Sequence, residues 1–570
     1  MTSKQAQGPL DNDLDEKDGS HPSNLTPPTS SEAHESTIPP TRFWMLSVGV
    51  LLGLFLSMID TSIVATSLYT IGLEFDALET VNWVALAYTL AYLGCAVVFA
   101  RISDIVGRRD AFIAAYVLFF AFSLACGFSQ SLNQLIAFRV LQGVGGSGLY
   151  SLTMIMLPEM SPNNLRHHIA ALVGMIVALA GVLGPVLGGL LTHYASWRWV
   201  FWINGPICVI SLVIFFLTWP KAEHLPSLER RAWKELDYAG SFLTISAAVL
   251  VVFSFQNAGS SSDDEWNKAI FLAPLLCGIF AWALLAAWQY VIHRRLENRL
   301  APAFPFSIFK NRVYTAAVLN TMLLGYPYLL LIYAIPVRIQ VVGGKSSLVA
   351  GVMLLPMLGS AALGSGLSGR INAVKNYVFE TLLVGSCLMT LGCALLTTLS
   401  HELDSGKQLG FITFCGLGFG LTIAASTMMS TIEVSIRNYA PAQGILSQVR
   451  LLGGSLGIAT STALLHQKVA EYLTDILTPA ELGTIGGPDS HLSDSQLEMV
   501  HYAYAESFRA DMKVAAGISA IGIISTLGTY RRQRFLIQEQ RQTLVAEEIA
   551  RRRGQSSANT TNTQPGPEKV

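Results

Sequence analysis

Leu135-Ile-Ala-Phe-Arg139-Val-Leu-Gln142-Gly143-Val-Gly145-Gly146-Ser-Gly148, and in the next apolar segment Gly181-Val-Leu-Gly184-Pro185-Val-Leu-Gly188-Gly189, decide how this chain is read. An arginine in hydrocarbon costs about 2.5–3.5 kcal/mol at a helix centre on insertion scales. A Gly-Pro-x-x-Gly-Gly run is a poor way to build a helix in water. Two neighbouring membrane helices, one charged and one loosened, point to a transport pathway rather than an anchor.

Composition agrees. Of 570 residues, 51% are hydrophobic and 13% charged, and the mean hydropathy is +0.46. Soluble domains average about 25% charged residues, so this is a membrane chain. The net charge of −1 gives no global basic field for nucleic acid. The seven cysteines all fall in apolar segments and are expected as unpaired core residues. Residues 1–40, rich in Ser, Pro, Thr and acids, lack the means to bury a core and read as a tail. No cleavable leader is expected.

A bilayer span needs about 20 apolar residues. The chain offers fourteen: 44–68, 81–100, 111–129, 132–157, 167–192, 198–219, 237–257, 269–291, 314–338, 347–369, 376–399, 408–430, 441–465 and 513–530. Lys and Arg mark cytosolic loops. With the N-terminus inside, inner loops hold Arg101, Arg108, Arg109, Arg166, Lys221, Arg230, Arg231, Lys234, Arg294, Arg295, Arg299, Lys310, Arg312, Arg370, Lys375 and Arg437. Outer connections as far as the thirteenth span hold Arg198, Lys268, Lys345 and Lys407, with Arg338 at a span end. This bias places both termini in the cytosol. Residues 466–512 read as a long polar outer loop, tolerable because loop entropy grows slowly with length.

Asp60, in Ser57-Met-Ile-Asp60-Thr61-Ser62, reads as the only acid well inside a span. Charges at such depth face a bundle interior or a wet cavity. Desolvation favours a neutral carboxyl and an opposing cation favours an ionised one. A carboxylate moved between those surroundings can take up and release a proton. The plain alternative is a structural Asp held by Thr61 and Ser62. Arg139 is the expected coupling partner, with Gln142 one turn on and on the same face; its alternative is a packing role. Gly181, Gly184, Pro185, Gly188 and Gly189 form a smooth seam that suits a rocking helix. Asp104, Gly107, Arg108 and Arg109 lie in a loop that reads as a gate latch, or as charge that orientation alone requires. Gln142, Gln448 and Arg450 are candidate cavity residues. No phosphate-binding Gly-x-x-x-x-Gly-Lys loop points to ATP, and His167-His168 stand without neighbouring metal ligands, so neither an enzyme nor a metal site is expected.

Five elements carry a family likeness. Ala100–Arg109 is similar to Gly-x-Leu-x-Asp-Arg-x-Gly-Arg-Arg, and Arg139, Gln142 and Gly143 match Arg-x-x-Gln-Gly. Gly184–Gly189 match Gly-Pro-x-x-Gly-Gly, Ile59–Val64 resemble Leu-Asp-x-Thr-Ile-Val, and Trp197-Arg-Trp-Val-Phe-Trp-Ile-Asn204-x-Pro206 looks like the entrance of a sixth helix. In these the chain resembles the fungal fourteen-span drug:proton antiporters of the major facilitator superfamily. Ala100, Ile105 and Tyr69 depart from the usual Gly, Arg and Pro.

The resemblance covers about residues 42–535. It implies an all-α membrane protein of the major facilitator fold with 14 transmembrane helices. Residues 1–41 would be a disordered cytosolic tail and 42–219 a first six-helix half. Residues 220–300 would be a linker with two inserted helices, 301–535 a second half including the outer loop 466–512, and 536–570 a second disordered tail. It implies proton-coupled efflux, by alternating access, of apolar or amphipathic small molecules: xenobiotics or a fungal secondary metabolite such as a toxin. The expected partners are a small-molecule substrate, protons and the lipid bilayer, with no cofactor beyond the proton gradient, no nucleic acid and a monomeric state. The expected site is the plasma membrane, with the vacuolar membrane as alternative. An importer of a nutrient or siderophore on the same fold is the competing function, against which the family's export motif in the fifth span speaks. A non-transporting sensor would have to signal through short tails.

Overall fold

A chain crossing hydrocarbon must satisfy its backbone polar groups internally, and runs of about 20 apolar residues do so as helices. The computed structural model describes residues 39–532, apart from 78–79, 82, 162–165, 221–231, 258–267, 297–299, 301, 303, 373–374, 402–403, 436–437 and 474–492, together with 540, 543, 544 and 546. Both expected tails thus lie almost wholly outside the described residues.

Among the described residues fourteen long helices follow one another. They are α1 (Pro40–Ile63), α2 (Trp83–Val106), α3 (Arg108–Gly127), α4 (Leu132–Met160), α5 (Arg166–Tyr194), α6 (Asn204–Thr218), α7 (Tyr238–Asn257) and α8 (Ala269–Val291). Then come α9 (Arg312–Val341), α10 (Leu355–Ile371), α11 (Val378–Leu396), α12 (Ser405–Glu433), α13 (Tyr439–Leu473) and α14 (Asp494–Leu527). Short helical turns, Trp199–Trp202 and Ser347–Val352, lead into α6 and α10. Side-chain caps start several helices: Ser131 accepts from Gln134 N, Asn311 from Val313 N, and Asp404 from Lys407 N. Each such cap is worth about 1 kcal/mol.

Among the described residues thirteen helices are long and apolar enough to cross a membrane. The fourteenth, α13, has the length but carries Gln443, Gln448 and Arg450, all buried against other helices rather than facing lipid. The expected outer loop 466–512 is corrected. Residues 466–473 continue α13, and 494–512 form the first half of α14. Ser493 and Gln496 close a reciprocal capping box at its start. Its buried positions Val500, Ala503, Phe508 and Met512 form only a sparse stripe among polar residues, too polar to register as a span. The core role expected of the cysteines is corrected too: Cys126, Cys208, Cys393 and Cys415 are buried, but Cys277 and Cys387 are exposed.

Alternation of direction puts the start of α1 and the end of α14 on one face, here the terminal face; the other is the distal face. Two packing centres form. One draws on residues between Phe43 and Phe215, joined by Ala440. The other draws on residues between Leu324 and Ala515. They meet where α5 packs on α10, and where α2 packs on α13. Gly444 of α13 lies against Val97 and Ala100 of α2. The helix pair α7–α8 packs on α2 and α13. Asp237, before α7, ties the pair together by accepting from Gly240 N (2.7 Å), Trp288 Nε1 (2.8 Å) and Gln289 Nε2 (2.7 Å).

Candidate coupling and transport site

Asp60 on α1 is fully buried, 0% exposed, and Arg139 on α4 is 1% exposed. The two form an ion pair. Gln142, one turn beyond Arg139, donates to Asp60 Oδ1 at 3.0 Å and accepts from Arg139 Nη1 at 2.8 Å. Asn204, at the first turn of α6, adds a third donor at 3.2 Å, and also reaches Ser123 Oγ at 3.0 Å. Arg139 has support of its own. Its Nε donates to the Val84 carbonyl at 3.0 Å, and its guanidinium lies 4.2 Å from the centre of the Tyr88 ring and 5.6 Å from that of Phe201. Tyr88 in turn donates to the Ser57 carbonyl at 3.0 Å.

Chemically, this is a carboxylate whose charge can be withdrawn without abandoning its cation. If Asp60 takes a proton, Arg139 keeps a carbonyl, an amide oxygen and an aromatic face, the last worth about 2 kcal/mol when desolvated. Thr61 and Ser62, the hydroxyls that would hold a merely structural Asp60, bond backbone carbonyls instead.

The α5 seam faces α1. A Cβ at Gly184 would meet the Ser62 side chain, and one at Gly188 would strike the Ile63 carbonyl and Thr66. A Cβ at Gly181 would meet nothing within 4 Å. Gly189 is half-buried, and α5 runs on through Pro185 without a break in its assigned helix. Of Gly181, Gly184 and Gly188, the last two therefore permit the close approach.

At the terminal face Gly107 takes φ 105°, a conformation that favours glycine, and turns α2 into α3. Asp104 pairs with Arg108 at 2.8 Å and with Arg101 at 3.4 Å. Arg108 also grips Glu159 of α4 with Nε and Nη2, both at 3.1 Å, in a bidentate pair. Arg101 reaches the Pro302 carbonyl ahead of α9. Arg109 stands apart, 4.9 Å over the Phe216 ring.

Of the candidate cavity residues, Gln142 is spent on Asp60. Gln448 is 1% exposed with neither amide atom hydrogen-bonded, and Arg450 donates to Tyr150 Oη at 3.2 Å. Sequence reading missed Asn204 as a partner of Asp60 and Glu159 as a partner of Arg108. A lone amide in the apolar run of α6, and an acid after Pro158 at a helix end, were the available signals. It also missed Asp511 on α14, so Asp60 is not the only acid at depth. Asp511 is 2% exposed, accepts from Ser461 Oγ at 2.6 Å and leaves Oδ1 without a partner. It was hidden because residues 466–512 read as loop.

Comparison with known proteins agrees with this architecture. The model of the Major Facilitator Superfamily matches residues 50–458. The chain is 29% identical over 505 residues to the MFS-type transporter FPY5 of Fusarium mangiferae, covering 86% of this chain and 84% of that one. It is 27% identical over 518 residues to the MFS-type efflux pump LUC4 of a Fusarium species, covering 88% and 90%. The crystal structure of the human organic anion transporter MFSD10 superposes with a TM-score of 0.56 at 15% identity, covering 86% of this chain and 100% of that one, a likeness of fold alone.

Proposed function

The chain belongs to the Major Facilitator Superfamily and is a multi-pass membrane transporter, and we propose that it exports apolar or amphipathic small molecules in exchange for protons. Its relatives are transporters rather than enzymes. The observation that carries the proposal is Asp60, buried in contact with Arg139, Gln142 and Asn204. It is an acid whose cation has other partners to fall back on, which is what a proton-exchanging group needs. Export rather than import is supported by the Gly-Pro-x-x-Gly-Gly run and by relatives named as efflux pumps. The basic loops favour cytosolic termini, and the proposed location is the plasma membrane, with the vacuolar membrane as the alternative. The terminal-face cluster of Arg108, Asp104 and Glu159 ties α2, α3 and α4 within the first half, and the Arg101 contact to the Pro302 carbonyl, which leaves that half, is the one suited to part and re-form as the halves rock. A membrane potential supplies about 2.3 kcal/mol per charge per 100 mV, enough to concentrate substrate outward.

The test is efflux of fluorescent amphipaths of both charges, anionic fluorescein and cationic rhodamine 6G, from cells deprived of their own pumps. Efflux conferred by this chain should collapse on adding a protonophore. Efflux that persists at full rate would make the protein a facilitator, or couple it to another ion.

A further inference from the structure

Arg450 carries a charge that the described structure does not balance. Arginine remains protonated inside proteins, so burial does not neutralise it. The side chain is 7% exposed, and its one hydrogen bond, to Tyr150 Oη at 3.2 Å, goes to a neutral group. Among the described residues it takes part in no ion pair. Arg139, equally deep, has Asp60; Arg108 has Asp104 and Glu159. Two residues before Arg450, the buried amide of Gln448 has no hydrogen bond at either atom. Buried polar groups are normally satisfied, and a buried cation is normally paired. Both exceptions fall in the first third of α13, the helix too polar to qualify as a span by composition. Tyr150 lies on α4, so the Arg450 bond joins α13 to α4.

We propose that Arg450 is the anchor for the anionic group of the transported molecule, and that the substrate class is an amphipathic organic anion: a carboxylate or sulfonate on an apolar body. This rests on the efflux reading and narrows it. An arriving anion exchanges a neutral phenol for a charge-assisted, bidentate partner at Arg450. The aromatic neighbours suit the apolar body. Tyr150 packs 5.8 Å from Tyr92, and Tyr92 stacks 5.7 Å from Tyr88, over which Arg139 lies. A ladder of three rings thus joins the anion anchor to the Asp60–Arg139 pair, and displacing Tyr150 disturbs its first rung.

The test uses the purified full chain in nanodiscs of phosphatidylcholine alone, so that no lipid anion competes. The unfolding midpoint is titrated with 1-naphthoate and with the matched cation 1-naphthylmethylammonium. The naphthoate should stabilise the protein saturably, and the cation should not. Arg450→Gln should weaken naphthoate binding by about tenfold or more, and Arg450→Lys should fall between, as expected for loss of a charge-assisted pair. Equal responses to both probes, or unchanged naphthoate affinity in Arg450→Gln, would overturn the proposal. Should Arg450→Gln fail to fold, Tyr150→Phe decides. It removes the neutral competitor and keeps the charge, so it should bind naphthoate at least as tightly as wild type; weaker binding would overturn the assignment. No gradient is applied, so failure here leaves proton-coupled efflux standing. Conversely, protonophore-resistant efflux with naphthoate binding intact would reject the coupling and keep the anchor.

Discussion

Arg139 works against one carboxylate, one amide, one carbonyl and two rings, and each makes a different demand on its shape. Arg139→Ala leaves the buried Asp60 carboxyl with only the Gln142 and Asn204 amides beside it. Breaking a buried pair from one side costs about 3–5 kcal/mol. A marked drop in the unfolding midpoint and loss of gradient-driven efflux are expected; full efflux would remove Arg139 from the coupling site. Arg139→Lys keeps the charge but not the planar fork, and so not the contacts to Val84 and Gln142 together. It should retain part of both stability and transport. Asn204→Leu removes one neutral donor to a charged acceptor, an interaction worth about 1.5–3 kcal/mol. Chemical unfolding of this variant beside wild type measures it; an unchanged midpoint would mean that Asn204 is a bystander to Asp60.

At the scale of helices, the close approach of α1 and α5 depends on two glycines. A methyl at Gly188 strikes the Ile63 carbonyl head-on, whereas a methyl at Gly184 meets first the rotatable Ser62 hydroxyl and then, less closely, Ser62 Cβ and Ile63 N. Overpacking of this kind costs about 1–3 kcal/mol. Gly188→Ala should therefore lower stability and transport more than Gly184→Ala, and Gly181→Ala should do neither; efflux rate and unfolding midpoint across the three variants check the order. On the distal face the short helix Leu68–Glu74 is held to the α5–α6 connection by Glu74, which pairs with Arg198 at 2.7 Å and accepts from Trp197. Partial burial pushes the Glu74 carboxyl upward, but the Trp197 and Arg198 hydrogen bonds and the Arg198 charge outweigh it and hold it below its ordinary value. A depressed carboxyl contributes stability that is present above its unfolded value, about 4.3, and is lost as pH falls through the folded one. Both side chains are part-exposed, so the contribution is about 1 kcal/mol at most. Glu74→Gln should thus lower stability slightly at neutral pH and converge on wild type in acid; an equal deficit at every pH would exclude the ion pair as its source.

For the whole molecule, one-dimensional patterning went far. Apolar runs located the fourteen helices because a bilayer span is written in length and hydropathy. The scarcity of charge inside those runs marked Asp60 and Arg139, which the fold places in contact. Legibility ended where helices are polar. The outer part of α14, with Asp511, read as loop because its buried stripe of Val500, Ala503, Phe508 and Met512 stands among polar residues and falls short of a span's hydropathy. Partners drawn from distant segments were likewise beyond reach. Asn204 meets Asp60 across 144 positions and Glu159 meets Arg108 across 51, distances that only packing resolves. The proposed function unites these parts in a buried acid, Asp60, placed to exchange a proton. The most direct check uses proteoliposomes with the wild type and Asp60→Asn, comparing substrate uptake driven by an imposed pH gradient with gradient-free exchange of labelled for unlabelled substrate. Asp60→Asn should keep the exchange and lose the gradient-driven uptake. Gradient-driven uptake by Asp60→Asn at the wild-type level would show that the proton is carried elsewhere.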